Sequence, residues 1–398
     1  MKTIILISPH FPQTYYRFAE ALKHNGFRVL GIGDASWEEL DPALRMNLDE
    51  WYACYNMDNF DNELKAVQYY KDKYGQIDFI ESNNEYWLEK DAKLREWFDI
   101  PNGVRPQELQ YWQHKSKMKE LYKKAGAKVA DFILVEDKEQ LLKFIKKVGY
   151  PVFIKPDMGV GAEGDYKIKT LEDVDFFFNN RNQNITYICE QFVTGNIVSF
   201  DGICDENSNV VFCDSNVFPP SVADVVKDGG DLFYYTEKEV PEDLKEIGSK
   251  VIKAFNVKRR FFHLEFFRST KNVKGVGKKN ELVALETNMR PPGGFTPDLI
   301  NFSQSVNTYQ IYADVIAFNE NRQDMSMKKY YAACASRRDW AWYKHNDQEI
   351  FDKYYGKLCD YGRYPYVLSG AMGDKFFMVK LETLKEVDEF KEFTESRN

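Results

Sequence analysis

A lysine, a run of glycines and two separated carboxylates hold most of the chemistry in this chain. Lys155 closes the apolar stretch Pro151-Val152-Phe153-Ile154, and Gly159-Val160-Gly161-Ala162-Glu163-Gly164 follows it closely. Three glycines let backbone N–H groups approach phosphate oxygens with no Cβ in the way. A cation beside them neutralises phosphate charge in a low-dielectric cleft. Further along, His263-Leu264-Glu265 lies within an apolar run, and Leu282-Val283-Ala284-Leu285 delivers Glu286-Thr287-Asn288. Strand residues two apart share a face, so Glu286 and Asn288 aim at one point, and Glu265 joins them if the two strands pair. Two carboxylates and an amide oxygen are hard ligands suited to Mg²⁺, which completes its shell with water and substrate phosphates. With no cation between them the carboxylates would repel and lose solvation. Arg290 is next on the same face and offers a planar fork to a phosphate or carboxylate. Pro291-Pro292-Gly293-Gly294 then makes a tight turn.

Plainer readings of these residues stay open. The loop satisfies GxGxxG, yet a dinucleotide site needs a helix to open directly after it, and residues 165–169 alternate as a strand does. The loop is therefore expected at the tip of a hairpin. A P-loop fails because Asp165 stands where Lys-Ser/Thr is required, and a protein kinase would carry HRD and DFG triplets, neither of which occurs. A surface turn with a snorkelling Lys155, water-facing edge carboxylates, and an Arg290 that only pairs with one of them are the alternatives. His263 reads as a packed strand residue before it reads as a base.

The elements that must position these groups follow from hydrophobic period. Residues 2–7 read as a buried strand, 15–25 as an amphipathic helix stopped by Gly26, and 27–32 as a second strand, a unit that builds parallel sheets. A strand at 77–82 and a helix at 88–98 extend it until Pro101-Asn102-Gly103. Helices are expected at 115–124, 141–148 and 172–179, and strands at 152–155, 166–169, 187–192, 197–203, 210–213, 261–267 and 281–286. The fold class is thus α/β at the start and α+β beyond. The tail from 326 is rich in Tyr and Trp and says little.

Composition removes several function classes. Among 398 residues, Lys plus Arg number 54 and Asp plus Glu 62, a formal charge of −8, which lacks the electrostatic footprint of a nucleic-acid or membrane-surface binder. No stretch approaches the ~20 apolar residues of a membrane span, and the apolar run 4–7 is too short for a signal peptide. Six cysteines without a CxxC pair and five scattered histidines argue against a zinc site and for a reduced cytoplasmic compartment.

Taken together the residues resemble the ATP-grasp superfamily, in its carboxylate-amine ligase branch related to biotin carboxylase and the carbamoyl phosphate synthase large chain. Four segments carry the likeness: Lys115-Ser116-Lys117-Met118 with Ala125-Gly126-Ala127; residues 149–164; Glu190-Gln191-Phe192-Val193-Thr194-Gly195; and residues 263–294. The resemblance implies a parallel-sheet pre-ATP-grasp domain at 1–105, a small ATP-binding lobe with the glycine hairpin at 106–190, a large lobe with antiparallel strands and the metal site at 191–325, and a C-terminal α+β segment at 326–398. It implies that Lys115 and Lys155 reach ATP phosphates under a lid bearing Gly159, Gly161 and Gly164. Glu190, Phe192 and Val193 correspond to the hinge that meets adenine. Glu265, Glu286 and Asn288 correspond to ligands of Mg²⁺, with Mn²⁺ as its substitute, and Arg290 to the anion-binding arginine. Relatives place an acidic residue after the hinge glycine for the ribose; Asn196-Ile197 stands here, leaving Asp201 as the substitute.

The activity implied is ADP-forming ligation of a small-molecule carboxylate to an amine through an acyl phosphate, an amino-acid or dipeptide ligase being one form. A small-molecule kinase and a non-catalytic nucleotide-binding protein are the alternatives. Many relatives are dimers, so a homodimer is the assembly to test. His10, Asn83, Asn84 and Glu85 stand near predicted strand ends, where open α/β sheets bind ligands.

Overall fold

Short apolar stretches punctuated by glycine build the first layer. Thr-Ile-Ile-Leu-Ile is buried throughout: Ile4 and Leu6 pack on the helix Tyr16–His24, while Ile5 and Ile7 pack on the helix Phe60–Tyr74. A parallel strand covered on both faces requires such a run. The computed structural model describes residues 1–159, 164–219 and 230–397. In it the strands Thr3–Ile7, Arg28–Gly33, Glu50–Ala53 and Phe79–Glu81 form the expected parallel sheet, in spatial order third, second, first, fourth. The strand Glu50–Ala53 and the helix Phe60–Tyr74 go beyond the sequence expectation. On that helix Glu63 is buried alongside Ala66, Val67 and Tyr70, and a charge on the inner face masks the apolar period.

A second sheet of four antiparallel strands runs in the order Phe132–Leu134, Tyr187–Gln191, Val152–Pro156, Tyr166–Ile168. Leu141, Phe144 and Ile145 of the helix Lys138–Val148, with Val174 and Phe177 of the helix Leu171–Asn180, cover one face. The last two strands are the hairpin expected around the glycine loop. Its tip, with Gly161, lies outside the described residues.

Residues 192–194 join this sheet directly to a larger antiparallel one, nine-stranded among the described residues. At its heart Gly195–Cys204 pairs along its whole length with Arg260–Ser269, which pairs in turn with Leu282–Asn288. Phe200, Phe262, Leu264 and Phe266 pack on the helices Lys115–Lys124 and Glu242–Ala254. The second of these helices comes so close that a Cβ on Gly248 would lie 2.2 Å from the Phe200 ring. The tail adds Tyr331–Arg337, Lys375–Leu381 and Leu358–Arg363 to the same sheet, beyond Phe233–Thr236. Hydrogen bonding is therefore continuous across residue 325. Among the described residues no helix is long and apolar enough to cross a membrane, and all six cysteines are free.

Candidate active site

Lys115 opens the helix Lys115–Lys124, and its N–H donates to the Asp157 carbonyl at 2.8 Å, which fixes the helix start beside the end of the strand Val152–Pro156. From there Lys115 Nζ donates to the Gly159 carbonyl at 2.8 Å and lies 3.3 Å from Glu286 Oε1. One lysine thus touches the root of the glycine loop and the carboxylate cluster together. Gly159 and Gly164 flank the loop at φ +125° and +83°, a region glycine enters freely.

Lys155 is buried, with Nζ 3.0 Å from Glu190 Oε2. Lys119, one turn along the helix from Lys115, meets Glu190 Oε1 at 2.5 Å. Burial opposes charge on Glu190, but the two ammonium groups outweigh it and hold the carboxyl at about 2. Burial also opposes charge on Lys155, and there Glu190 and Glu286 win, raising it. On Lys119 burial wins and lowers it. The spacing of Lys119 from Lys115 was the available signal for its role, since residues four apart share a helix face. Glu190 lies in the strand Tyr187–Gln191, which runs directly into residues 192–194, and Lys119 and Lys155 occupy its carboxylate. Residues 192–194 make the connection itself: the Phe192 ring lies 4.3 Å below Lys167 Nζ, and Val193 is buried against Ala130 and Val283. Asp165, also unforeseen, returns from the loop towards the lysines; burial pushes its carboxyl up to about 6 against the pull of Lys155 and Lys115.

Strand pairing sets the carboxylates opposite one another. Glu265 stands across from Glu286, and His263 across from Asn288. Directly opposed strand residues hold their Cβ atoms about 5 Å apart. The register then slips to Phe266 against Ala284, a bulge of the kind that re-aims side chains beside sites. Glu265 Oε1 lies 3.2 Å from His263 Nε2, and His263 Nδ1 lies 2.5 Å from Asp201 Oδ1. Burial opposes an imidazolium there, yet Asp201 and Glu265 outweigh it and push His263 up to about 9. For Glu265 burial is likewise overcome, by His263 first and then by Arg290 and Lys155, so its carboxyl stays below the usual range. Asp201 requires correction as the substitute ribose contact: it is fully buried and taken up by His263, Ser199 and Asn216.

Among the described residues no three His, Cys, Asp or Glu side chains gather as a metal cage. The donor set is two opposed carboxylates, about a quarter exposed at 24% and 22%, with the Asn288 amide beside them. That chemistry fits Mg²⁺, which keeps waters and takes phosphate oxygens.

Arg290 follows on the same strand end. Its Nη1 donates to the Pro291 carbonyl at 2.8 Å, and its Nε lies 3.9 Å from Glu85 Oε2. Glu85, with Asn83 and Asn84, belongs to the loop after the strand Phe79–Glu81, so the parallel-sheet domain forms one wall of the cleft. His10 is engaged elsewhere, with Nε2 3.0 Å from Asp34 and its ring edge-on to Trp51.

Residues 120–291 match the family model described as the ATP-grasp domain. The chain carries an ATP-grasp domain. Lys155, the glycine loop, Glu190 and the carboxylate cluster all fall within the matched ATP-grasp residues, and Lys115 lies just before them. The chain is 23% identical over 255 residues to an L-arginine-specific L-amino acid ligase of Bacillus subtilis, covering 62% of this chain and 60% of that ligase. The match thus spans under two thirds of that relative's length. It is 25% identical over 170 residues to an N5-carboxyaminoimidazole ribonucleotide synthase of Aquifex aeolicus, covering 42% and 44% of the two chains. The fold of the whole chain follows that of an L-amino acid ligase from Bacillus licheniformis, with a TM-score of 0.70 at 14% identity over 98% of this chain and 96% of that one. The two-lobed ATP-grasp architecture behind a parallel-sheet domain is therefore the architecture of this chain.

Proposed function

We propose that this protein is an ADP-forming ligase that joins a carboxylate to an amine through an acyl phosphate. The observation that carries the reading is the position of Lys115, whose Nζ bridges the Gly159 carbonyl and Glu286. Glycine loop, buried lysines and paired carboxylates thereby share one cleft. The homology supports it too, since relatives over this segment are named as ligases and synthases.

In this reading ATP lies between the two antiparallel sheets, its adenine against residues 190–193 and its phosphates against Lys115, Lys155 and the glycine loop. Glu265, Glu286 and Asn288 would hold Mg²⁺, which supplies neutralisation of phosphate charge when bound. A carboxylate oxygen of the first substrate attacks the γ-phosphorus and the bond to the bridging oxygen of ADP breaks. The amine nitrogen of the second substrate then attacks the acyl carbon, loses its proton, and phosphate leaves with one former carboxylate oxygen. Arg290 holds the carboxylate and then the phosphorylated group. Phosphoryl transfer asks little covalent chemistry of a protein, so positioning and fixed charge supply most of the rate.

Isotope transfer tests the reading. With ¹⁸O in the carboxylate, label appears in released phosphate; product formed with unlabelled phosphate refutes the acyl phosphate. A homodimer goes with the proposal, supported by the Hydrogenobacter thermophilus biotin carboxylase domain dimer, which has a TM-score of 0.70 to this chain at 16% identity over all of it and 90% of that domain. Sedimentation at working concentration checks it.

A further inference from the structure

His263 stands two residues before Glu265 on the strand Arg260–Ser269, so both side chains leave the sheet on one face. Strand register fills a small grid on that face. One row runs Asp201, His263, Asn288 and the next runs Ser199, Glu265, Glu286, across three neighbouring strands. Directly opposed residues of an antiparallel pair lie within reach of one another. Glu265, Glu286 and Asn288 are the donors that suit Mg²⁺. Asp201, Ser199 and His263 fill the rest of the grid behind them.

These three are bonded to one another and, through His263, to Glu265. His263 Nε2 lies 3.2 Å from Glu265 Oε1, and Nδ1 lies 2.5 Å from Asp201 Oδ1. Carboxylates only accept, so each contact takes a ring N–H. The second oxygen of Asp201 accepts from the Ser199 hydroxyl and, at 2.7 Å, from the Asn216 side-chain amide. The Asn216 N–H donates in turn to Ser199 Oγ at 3.1 Å. Asp201, Ser199 and Asn216 are fully buried and His263 nearly so, whereas Glu265 reaches the cleft with 24% of its side chain exposed.

The sheet itself does not need this chain of side chains. Its backbone ladder already joins Gly195–Cys204 to Arg260–Ser269 along their whole length, and a buried ionic cluster is a poor source of stability. A glutamate at a cleft turns about several side-chain bonds and samples many orientations. Fixing one of its oxygens on a ring that is itself held through its other nitrogen removes most of that freedom and leaves the second oxygen for a cation.

We propose that His263 is a positioning residue that holds Glu265 in the orientation that receives Mg²⁺, with Asp201 holding His263. The proposal rests on the metal-site reading above and adds to it a buried brace outside the ligand set.

Mn²⁺ serves as the probe. Its binding to the full chain with saturating ADP is followed by loss of the free-ion electron paramagnetic resonance signal, and ADP affinity without metal by calorimetry. His263→Ala weakens Mn²⁺ binding about 10- to 100-fold and leaves metal-free ADP affinity unchanged. His263→Gln, which keeps one donor, recovers part of the loss, and Asp201→Asn loses less than His263→Ala. A double-mutant cycle separates positioning from general support of the fold: beside Glu265→Gln, His263→Ala has little further effect, because both act through one carboxylate. Urea midpoints identify the folded variants. Where His263→Ala does not fold, His263→Gln takes its place in the cycle, with a smaller loss that again vanishes beside Glu265→Gln. Losses that add in full in the double variant overturn the proposal. Weakening by Glu265→Gln with none by His263→Ala refutes the brace and leaves the metal site standing. Mn²⁺ affinity untouched by both Glu265→Gln and Glu286→Gln overturns the metal-site reading itself.

Discussion

Asp157 and Ser116, 41 positions apart, make two hydrogen bonds: the Ser116 N–H donates to Asp157 Oδ1 at 2.8 Å and its hydroxyl to Oδ2 at 3.0 Å. His114 Nδ1 reaches the same carboxylate at 2.9 Å. Asp157 is buried and serves as the cap of the helix Lys115–Lys124, although it lies on the far side of the small lobe in sequence.

Asp157→Ala should therefore do two things. Losing a helix cap costs about 1–2 kcal/mol, read by urea unfolding. Lys115, the adjacent residue, loses its fixed start, so KM for ATP rises severalfold in steady-state kinetics while Asp157→Asn retains more of both.

Acid stability should report Glu190. Its folded carboxyl sits at about 2 against a reference of 4.5, so the folded state binds fewer protons in between. The contribution is full above pH 4.5, is lost as pH falls through about 2, and amounts to about 3 kcal/mol. Urea unfolding between pH 6 and pH 2.5 should show this acid loss in the wild type and a shallower slope in Glu190→Gln.

Removing charge from the carboxylate pair should appear as a metal requirement. Glu286→Gln is expected to lower ATP turnover at least about 100-fold at limiting Mg²⁺, with the Mg²⁺ dependence displaced to higher concentration. A variant with wild-type turnover at limiting Mg²⁺ would remove Glu286 from the ligand set.

Domain packing should depend on Glu81. Its carboxylate lies between Arg95 and Arg260, each at 3.1 Å and all three buried. Glu81→Gln leaves two buried guanidinium groups facing a neutral amide, a loss of about 3–5 kcal/mol, measurable as a lower urea midpoint. An unchanged midpoint would show that water already compensates these charges.

Local chemistry made much of this protein legible in its sequence. The apolar run of the first strand, the glycine-stopped helices and the period-two strands around Glu265 and Glu286 all follow from burial and backbone freedom, which act over a few residues. The hairpin reading of the glycine loop followed from alternation at 165–168, and the strand pair Val152–Pro156 and Tyr166–Ile168 bears it out. The facing of Glu265 and Glu286 was conditional on strand pairing, and the pairing register supplies it.

What only tertiary structure decided were the partners of each charge. Nothing local says that Glu190 is held between Lys119 and Lys155, that Asp201 belongs to His263, or that Asp157 caps a distant helix. Nor does local pattern reveal that strands after residue 330 continue the sheet begun at Gly195, since sheet neighbours are chosen by packing across the whole chain. Residue type sets which charges a chain must satisfy; the fold alone chooses which distant group satisfies them, and here that choice leaves Glu85 facing Arg290 across the cleft.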